Sequence, residues 1–224
     1  MRAFLLMLLI LSPIFAHAGK PGCPAGDGDG EDLWSPQCFI EQGGVRHLKP
    51  QYLSKLAFKK TGKAVIVIAG DPIPDEVVAL DRRGRVVVPG IYHTQDFDYP
   101  YAPLGVGRFG ANGKCGYFQS RTFTIIVPAQ YDNCHPSHDD GLGRACKNCQ
   151  HYCTHPDCYD SSLVGGTGFE FDAKGRLLRT FPQPELDAVC THGIEKLDKQ
   201  SRYLECKPDP NPPFELPRKR DAGQ

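Results

Sequence analysis

The chain has 224 residues, with 26 basic and 26 acidic side chains and no formal net charge. That balance excludes an electrostatic case for nucleic acid or an anionic membrane surface as partner. Its 24 Gly and 20 Pro disfavour a helical bundle and suit short strands joined by turns.

Residues 1–18 read as a secretory signal peptide. Arg2 supplies the positive charge, Phe4 to Phe15 is an apolar run broken only by Ser12 and Pro13, and Ala16-His17-Ala18 fits the small-x-small cleavage pattern. The run is shorter than the ~20 apolar residues of a spanning helix, and no other stretch could cross a bilayer. No integral membrane segment is therefore expected after cleavage, and the expected location is outside the cytoplasm, in a periplasm or secreted. Cys23 follows Lys20-Pro21-Gly22 well past the apolar run, which does not suit a lipid-attachment cysteine. All ten cysteines lie after the leader, and an even number in an exported chain argues for disulfides.

Residues 19–37 are rich in Gly, Pro and Asp and read as a flexible arm tethered by Cys23. Within it, Asp27-Gly28-Asp29-Gly30-Glu31-Asp32 lacks the spacing and closing glutamate of a calcium loop, so it reads as an acidic turn. From Cys38 the pattern becomes β-like. Ala64 to Ala69 is an apolar run ended by Gly70-Asp71-Pro72, as expected of a buried strand. Val77 to Leu80, Asp81-Arg82-Arg83-Gly84 and Arg85 to Val88 read as strand, turn, strand.

This hairpin recurs. Gly116 to Gln119, Ser120-Arg121-Thr122 and Phe123 to Pro128 form a second copy; Gly168 to Phe171, Asp172-Ala173-Lys174-Gly175 and Arg176 to Leu178 form a third. Val88-Pro89-Gly90-Ile91-Tyr92 matches Val127-Pro128-Ala129-Gln130-Tyr131, and Pro50-Gln51-Tyr52 stands in the corresponding place upstream. Phe58 to Lys63 corresponds to Phe109 to Lys114, and Gly105-Val106-Gly107-Arg108 to Gly141-Leu142-Gly143-Arg144. Each unit is expected to run strand, Gly-Lys turn, strand, second turn, strand, with several landmarks in one order.

The order Gly-x-x-Arg, Asn-Gly-Lys-x-Gly-Tyr and Pro-x-x-Tyr-Asp resembles the WG (Trp-Gly) repeat of bacterial proteins, with its best copy at Gly105 to Asp132 and coverage from Pro50 to Phe181. Cys115-Gly116 occupies the Trp-Gly position of that copy, and Ala64-Val65 that of the first. The resemblance implies a β-rich repeat fold acting as an interaction unit. It says little about activity. A cysteine is too small to replace the packing of a tryptophan between hairpins, so a disulfide is the physical substitute.

Cys134 to Cys158 interrupts the pattern, with Cys146, Cys149 and Cys153 between them and His135, His138, His151 and His155 interspersed. Three readings compete for this insertion, which spans 134–166. The first is a structural disulfide knot. The second is a zinc or copper site drawing on Cys146, Cys149, His151, Cys153, His155 and Cys158. The third is a thiol–disulfide site at Cys146-Lys147-Asn148-Cys149, which no helical period follows. Connectivity is not deducible from sequence. Order and repeat geometry suggest Cys23 with Cys38, Cys115 with Cys134 and Cys190 with Cys206, leaving the other four to pair within the insertion.

No catalytic set emerges. Gly107 to Lys114 lacks the Ser/Thr of a phosphate loop, and no G-x-S-x-G or H-E-x-x-H occurs. Asp96, Asp98, Asp139 and Asp140 read as solvated turn acids rather than a hydrolytic pair. Tyr99-Pro100-Tyr101 suits either a partner contact or packing on the sheet. From Glu185 to Glu205, weak helical spacing suggests a short helix and a strand capping the array, and Pro208 onward reads as an extended tail ending in the basic Pro217-Arg218-Lys219-Arg220.

The expected fold is mainly β: consecutive antiparallel β-hairpin repeats over 38–182, with a small C-terminal α/β cap within 183–224. Core candidates are Val67, Val78, Val87, Tyr117, Ile126 and Phe169. The expected function is an exported binding module for a protein or cell-envelope partner, not an enzyme, needing no cofactor. Tyr99, Tyr101, His135 and His138 are its candidate surface.

Overall fold

Short apolar runs between glycine turns become strands in the computed structural model, which describes residues 23–24, 33–70, 74–93, 98–102, 105–136, 142–155, 157–158 and 161–211. The leader, the acidic turn at 27–32, His138, Asp96, Asp139, Asp140 and the basic tail lie outside the described residues. Strand β1 (Leu33–Trp34) comes first, within the segment expected to be an arm. Hairpin β2 (Phe39–Gln42) and β3 (Val45–Leu48) follows, turning on Gly43 and Gly44, both at positive φ. Two adjacent residues in that conformation match the right-handed twist of a two-residue hairpin.

A run of antiparallel strands then builds the main sheet: β4 (Ala64–Ile68), β5 (Glu76–Leu80), β6 (Val86–Ile91), β7 (Val106–Ala111), β8 (Lys114–Gln119) and β9 (Thr124–Tyr131). Its order is β1-β4-β5-β6-β7-β8-β9, with β1 joined to β4 in parallel. Strand β5 is buried on both faces. Val78 and Leu80 pack with Trp34, Leu48, Ile66 and Ile68 on one side, and Val77 and Ala79 with Val88, Phe109 and Phe118 on the other. Of the expected core positions, Val78 and Tyr117 are buried. Val67, Val87, Ile126 and Phe169 are half-buried at the margins of the clusters.

The next segment comprises β10 (Asn133–His135), β11 (Gly143–Lys147), β12 (Gln150–Cys153), β13 (Ser161–Val164), β14 (Thr167–Phe171) and β15 (Leu177–Pro182). Strands β10-β11-β14-β15 form a second sheet, in which Lys147 faces Thr167. The β12–β13 hairpin thus emerges from the turn between β11 and β14. The interruption expected over 134–166 is narrower, since Cys134 and Cys146 belong to ordinary ladders.

Helix α1 (Leu186–Val189), β16 (Ile194–Asp198) and β17 (Tyr203–Cys206) complete the described chain. The third sheet has the order β13-β12-β17-β16. Here Tyr152, Val164, Cys190 and Leu204 share a small core. The C-terminal segment therefore packs on the cysteine-rich hairpin rather than on the end of the main sheet.

The expected units differ in detail from the structure. Antiparallel three-stranded meanders occur at β4-β5-β6 and β7-β8-β9, and β11-β14-β15 forms a similar ladder interrupted by the β12–β13 hairpin. Pro50-Gln51-Tyr52, expected at a strand end, instead opens a 3-10 helix at Pro50–Lys55. Pro50 suits a first helical position, where no amide hydrogen is needed, and the turn lays Tyr52 and Leu53 against the core. The Gly-Lys turn at Phe58 to Lys63 is present, but it leads from that helix and not from a strand.

Candidate functional site

The cysteine-rich hairpin is set by β12 and β13, paired from Gln150 and Val164 to Cys153 and Ser161. All ten cysteines are in disulfides: Cys23–Cys38, Cys115–Cys134, Cys146–Cys149, Cys153–Cys158 and Cys190–Cys206. Three of these, Cys23–Cys38, Cys115–Cys134 and Cys190–Cys206, are the pairs suggested by order and repeat geometry; the other four cysteines pair within the insertion, neighbour with neighbour. Cys115 on β8 and Cys134 on β10 lie 6.0 Å apart at Cα and tie the main sheet to the second sheet. Cys146 and Cys149 close a turn whose Asn148 sits at φ 58°. Cys146 is fully buried at the end of a strand. A redox Cys-x-x-Cys pair draws its reactivity from a partly exposed thiolate at a helix N-terminus; here Cys146 is buried, Cys149 is half-buried, and strands rather than a helix flank the pair.

His151, Cys153 and Cys158 bring one ligand atom each within 4.8 Å of one another. Cys146, Cys149 and His155, the other members of the expected ligand set, are not in this group. Both sulfurs in it belong to one disulfide, so thiolate ligation requires its prior reduction. Burial, and secondarily Arg202, holds the His151 imidazole below its usual pKa and favours the neutral form. The Nδ1 of His155 accepts the Asp157 amide at 3.3 Å.

The structure divides the expected surface residues. Tyr99 turns inward: its ring meets Phe123 edge-on at 5.7 Å, and its hydroxyl accepts from Lys59 Nζ at 2.7 Å. Tyr101 is 78% exposed, the highest value among the exposed large hydrophobic side chains described. His135 lies on β10, where its carbonyl accepts from the Tyr117 hydroxyl at 2.9 Å. It borders a cleft of about 460 Å³ shared with Arg144, Arg179 and Phe181. Both arginines direct their charge to Glu170, which is 4% exposed. Hydrogen bonding to Arg179 is the first cause that holds this carboxylate below its usual range.

Asp98 corrects the sequence expectation of a solvated acid. It is 1% exposed and takes a two-pronged ion pair from Arg108, at 2.8 and 2.7 Å. Arg108 also donates to the Cys134 carbonyl at 2.9 Å and lies over the Tyr92 ring. Asp98 thereby fixes the base of the Tyr99–Tyr101 loop to β7.

A larger cavity, of about 640 Å³, is bordered by Tyr99 and Pro100 of that loop. Its walls come from Trp34 of β1, Val65 and Val67 of β4, Val77 of β5, the stretch from Lys55 to Lys59, and His93, Tyr99 and Pro100. The valines are there because β4 alternates: Ala64, Ile66 and Ile68 are buried on one face, leaving Val65 and Val67 half-covered on the other. Sequence reasoning missed this site. Its signals were the sole tryptophan and the lysine pair Lys55 and Lys59, which precede a strand that was read as ordinary core. Comparison with protein-family models, with curated proteins and with solved structures gives no match for the chain. Among the described residues, no helix is long and apolar enough to cross a membrane.

Proposed function

We propose that the chain is an exported binding module of the WG-repeat type, which presents the Tyr99–Tyr101 loop and the cysteine-rich hairpin to a protein or cell-envelope partner. The observation that carries this is Tyr101, 78% exposed on a loop whose base is pinned by the buried Asp98–Arg108 pair. A large aromatic ring on a rigid support loses little conformational freedom on binding, which is why such residues dominate contact energies. Recurrent Gly-x-x-Arg and Gly-Lys landmarks, together with successive meanders, support the repeat reading. Five disulfides fit an oxidising compartment.

The test is capture from a cell-envelope extract by the wild-type chain, Tyr101→Ala and a control, Ile40→Ala. The proposal expects a partner held by the wild type and the control but weakened about thirtyfold by Tyr101→Ala, as for loss of a hot-spot ring. Equal capture by all three contradicts it.

The grouping of His151, Cys153 and Cys158 favours one second reading, a zinc or copper site formed by the reduced hairpin. Stoichiometric metal in the protein as purified would support this reading over the first.

A further inference from the structure

We infer that the cavity beside Tyr99 is a binding site for a small organic anion with an apolar body, such as a fatty or aryl carboxylate. Its volume of about 640 Å³ falls within the roughly 300–1,000 Å³ of small-molecule sites, which combine apolar walls with a few converging polar groups. The apolar part here is the half-buried pair Val65 and Val67, backed by the buried Trp34 and Val77. The polar part is one-sided, because no carboxylate contributes to the described lining while Lys55 and Lys59 both do.

Neither lysine has an acidic partner among the described residues. Lys59 Nζ donates to the neutral Tyr99 hydroxyl and lies 5.3 Å from the centre of that ring. Lys55 Nζ donates to the Cys23 carbonyl at 2.7 Å. Two ammonium groups held by a hydroxyl and a carbonyl at the edge of an apolar hollow meet no carboxylate among the described residues. An anionic head that accepts from both supplies the opposite charge, while its apolar body covers the half-buried Val65 and Val67. A cationic amphiphile of equal size meets like charge at the same place. The inference goes beyond the partner reading above, because it concerns a different ligand class and does not involve Tyr101.

Trp34 is the only tryptophan of the chain, so its emission reports occupancy of this cavity. The experiment titrates the oxidised full chain with laurate, kept below its micelle threshold, and in parallel with dodecyltrimethylammonium, which carries the same tail and the opposite charge. The expected result is a saturable one-site change in Trp34 emission with laurate and none with the cation. Lys55→Gln and Lys59→Gln should each weaken laurate about tenfold, the size of one lost charge-assisted contact. Both lysines are exposed, so these variants keep the fold. Val67→Asp should abolish the signal, and Tyr101→Ala should leave it unchanged. Absence of a saturable change, equal binding of the cation, or laurate affinity unmoved by both lysine variants would overturn the inference.

Discussion

Tyr117 shows how one side chain joins two sheets. It is 1% exposed, and its hydroxyl donates to the carbonyls of His135 and Arg144 on β10 and β11. Burial pushes its pKa up, so it stays a donor throughout the accessible pH range. Tyr117→Phe keeps the ring packed near Phe171 but leaves both carbonyls without this donor. The expected cost is about 1–3 kcal/mol, read as a lower urea midpoint with an unchanged slope. The short non-polar stretch Cys115 to Phe118 identifies Tyr117 as core, but nothing in the sequence says where its hydroxyl goes. Asp98 was less legible still. Its partner Arg108 lies ten residues on, across a loop, and a lone acid beside an aromatic cluster looks like any solvated turn residue. Only the folded chain reveals that both charges are withdrawn from water together, a step that is tolerable because they pair in two-pronged geometry.

At the scale of elements, the turns were the most legible feature. Asp81-Arg82-Arg83-Gly84 and Asp172-Ala173-Lys174-Gly175 form the same structure. In each, the aspartate Oδ1 accepts two backbone amides and the glycine adopts positive φ. Surroundings distinguish one glycine from another. A methyl group on Gly84 would lie 2.6 Å from Leu53 and 3.2 Å from Leu48, whereas on Gly113 it meets nothing within 4 Å. Both residues have φ near 70°, at +75° and +70°. Gly113→Ala should therefore cost only the backbone strain of about 1–2 kcal/mol, and Gly84→Ala distinctly more, as compared by thermal unfolding.

The cysteine-rich hairpin adds a pH response. Since His151 has a depressed pKa in the fold, the unfolded chain binds its proton first as pH falls. The hairpin's contribution is complete above the ordinary histidine value of about 6.5 and declines below it. Urea midpoints measured between neutral and mildly acidic pH should fall, and His151→Gln should flatten that fall. The sequence located this hairpin by its cysteines. Its register and its pairing with β17 were not legible, because Ser161 to Val164 and Tyr203 to Cys206 are short and match many partners equally well.

For the whole molecule, several small cores stand where one large core would otherwise be needed. The main sheet carries one on each face; another is shared between strands β7–β9 and the second sheet, and the third sheet has its own. Covalent links join or close these parts. Cys23–Cys38, Cys115–Cys134 and Cys190–Cys206 enclose 15 to 19 residues, each worth about 3 kcal/mol through restriction of the unfolded chain. Mainly β architecture was readable from punctuation and alternation. The assembly of sheets was not, since β17 joins β12 across about fifty residues of chain, Tyr203 beside Cys153, and no local pattern announces that pairing. The cavity at Trp34 escaped notice for the same reason: the segments that line it span residues 34–100 and converge only in three dimensions. The central claim, a disulfide-stapled module rather than a thiol or metal centre, is tested most directly by peptide mapping of the non-reduced protein together with its metal content. The account predicts the five pairs Cys23–Cys38, Cys115–Cys134, Cys146–Cys149, Cys153–Cys158 and Cys190–Cys206, with no thiol and no metal. Free Cys153 and Cys158 with stoichiometric bound zinc or copper would contradict it.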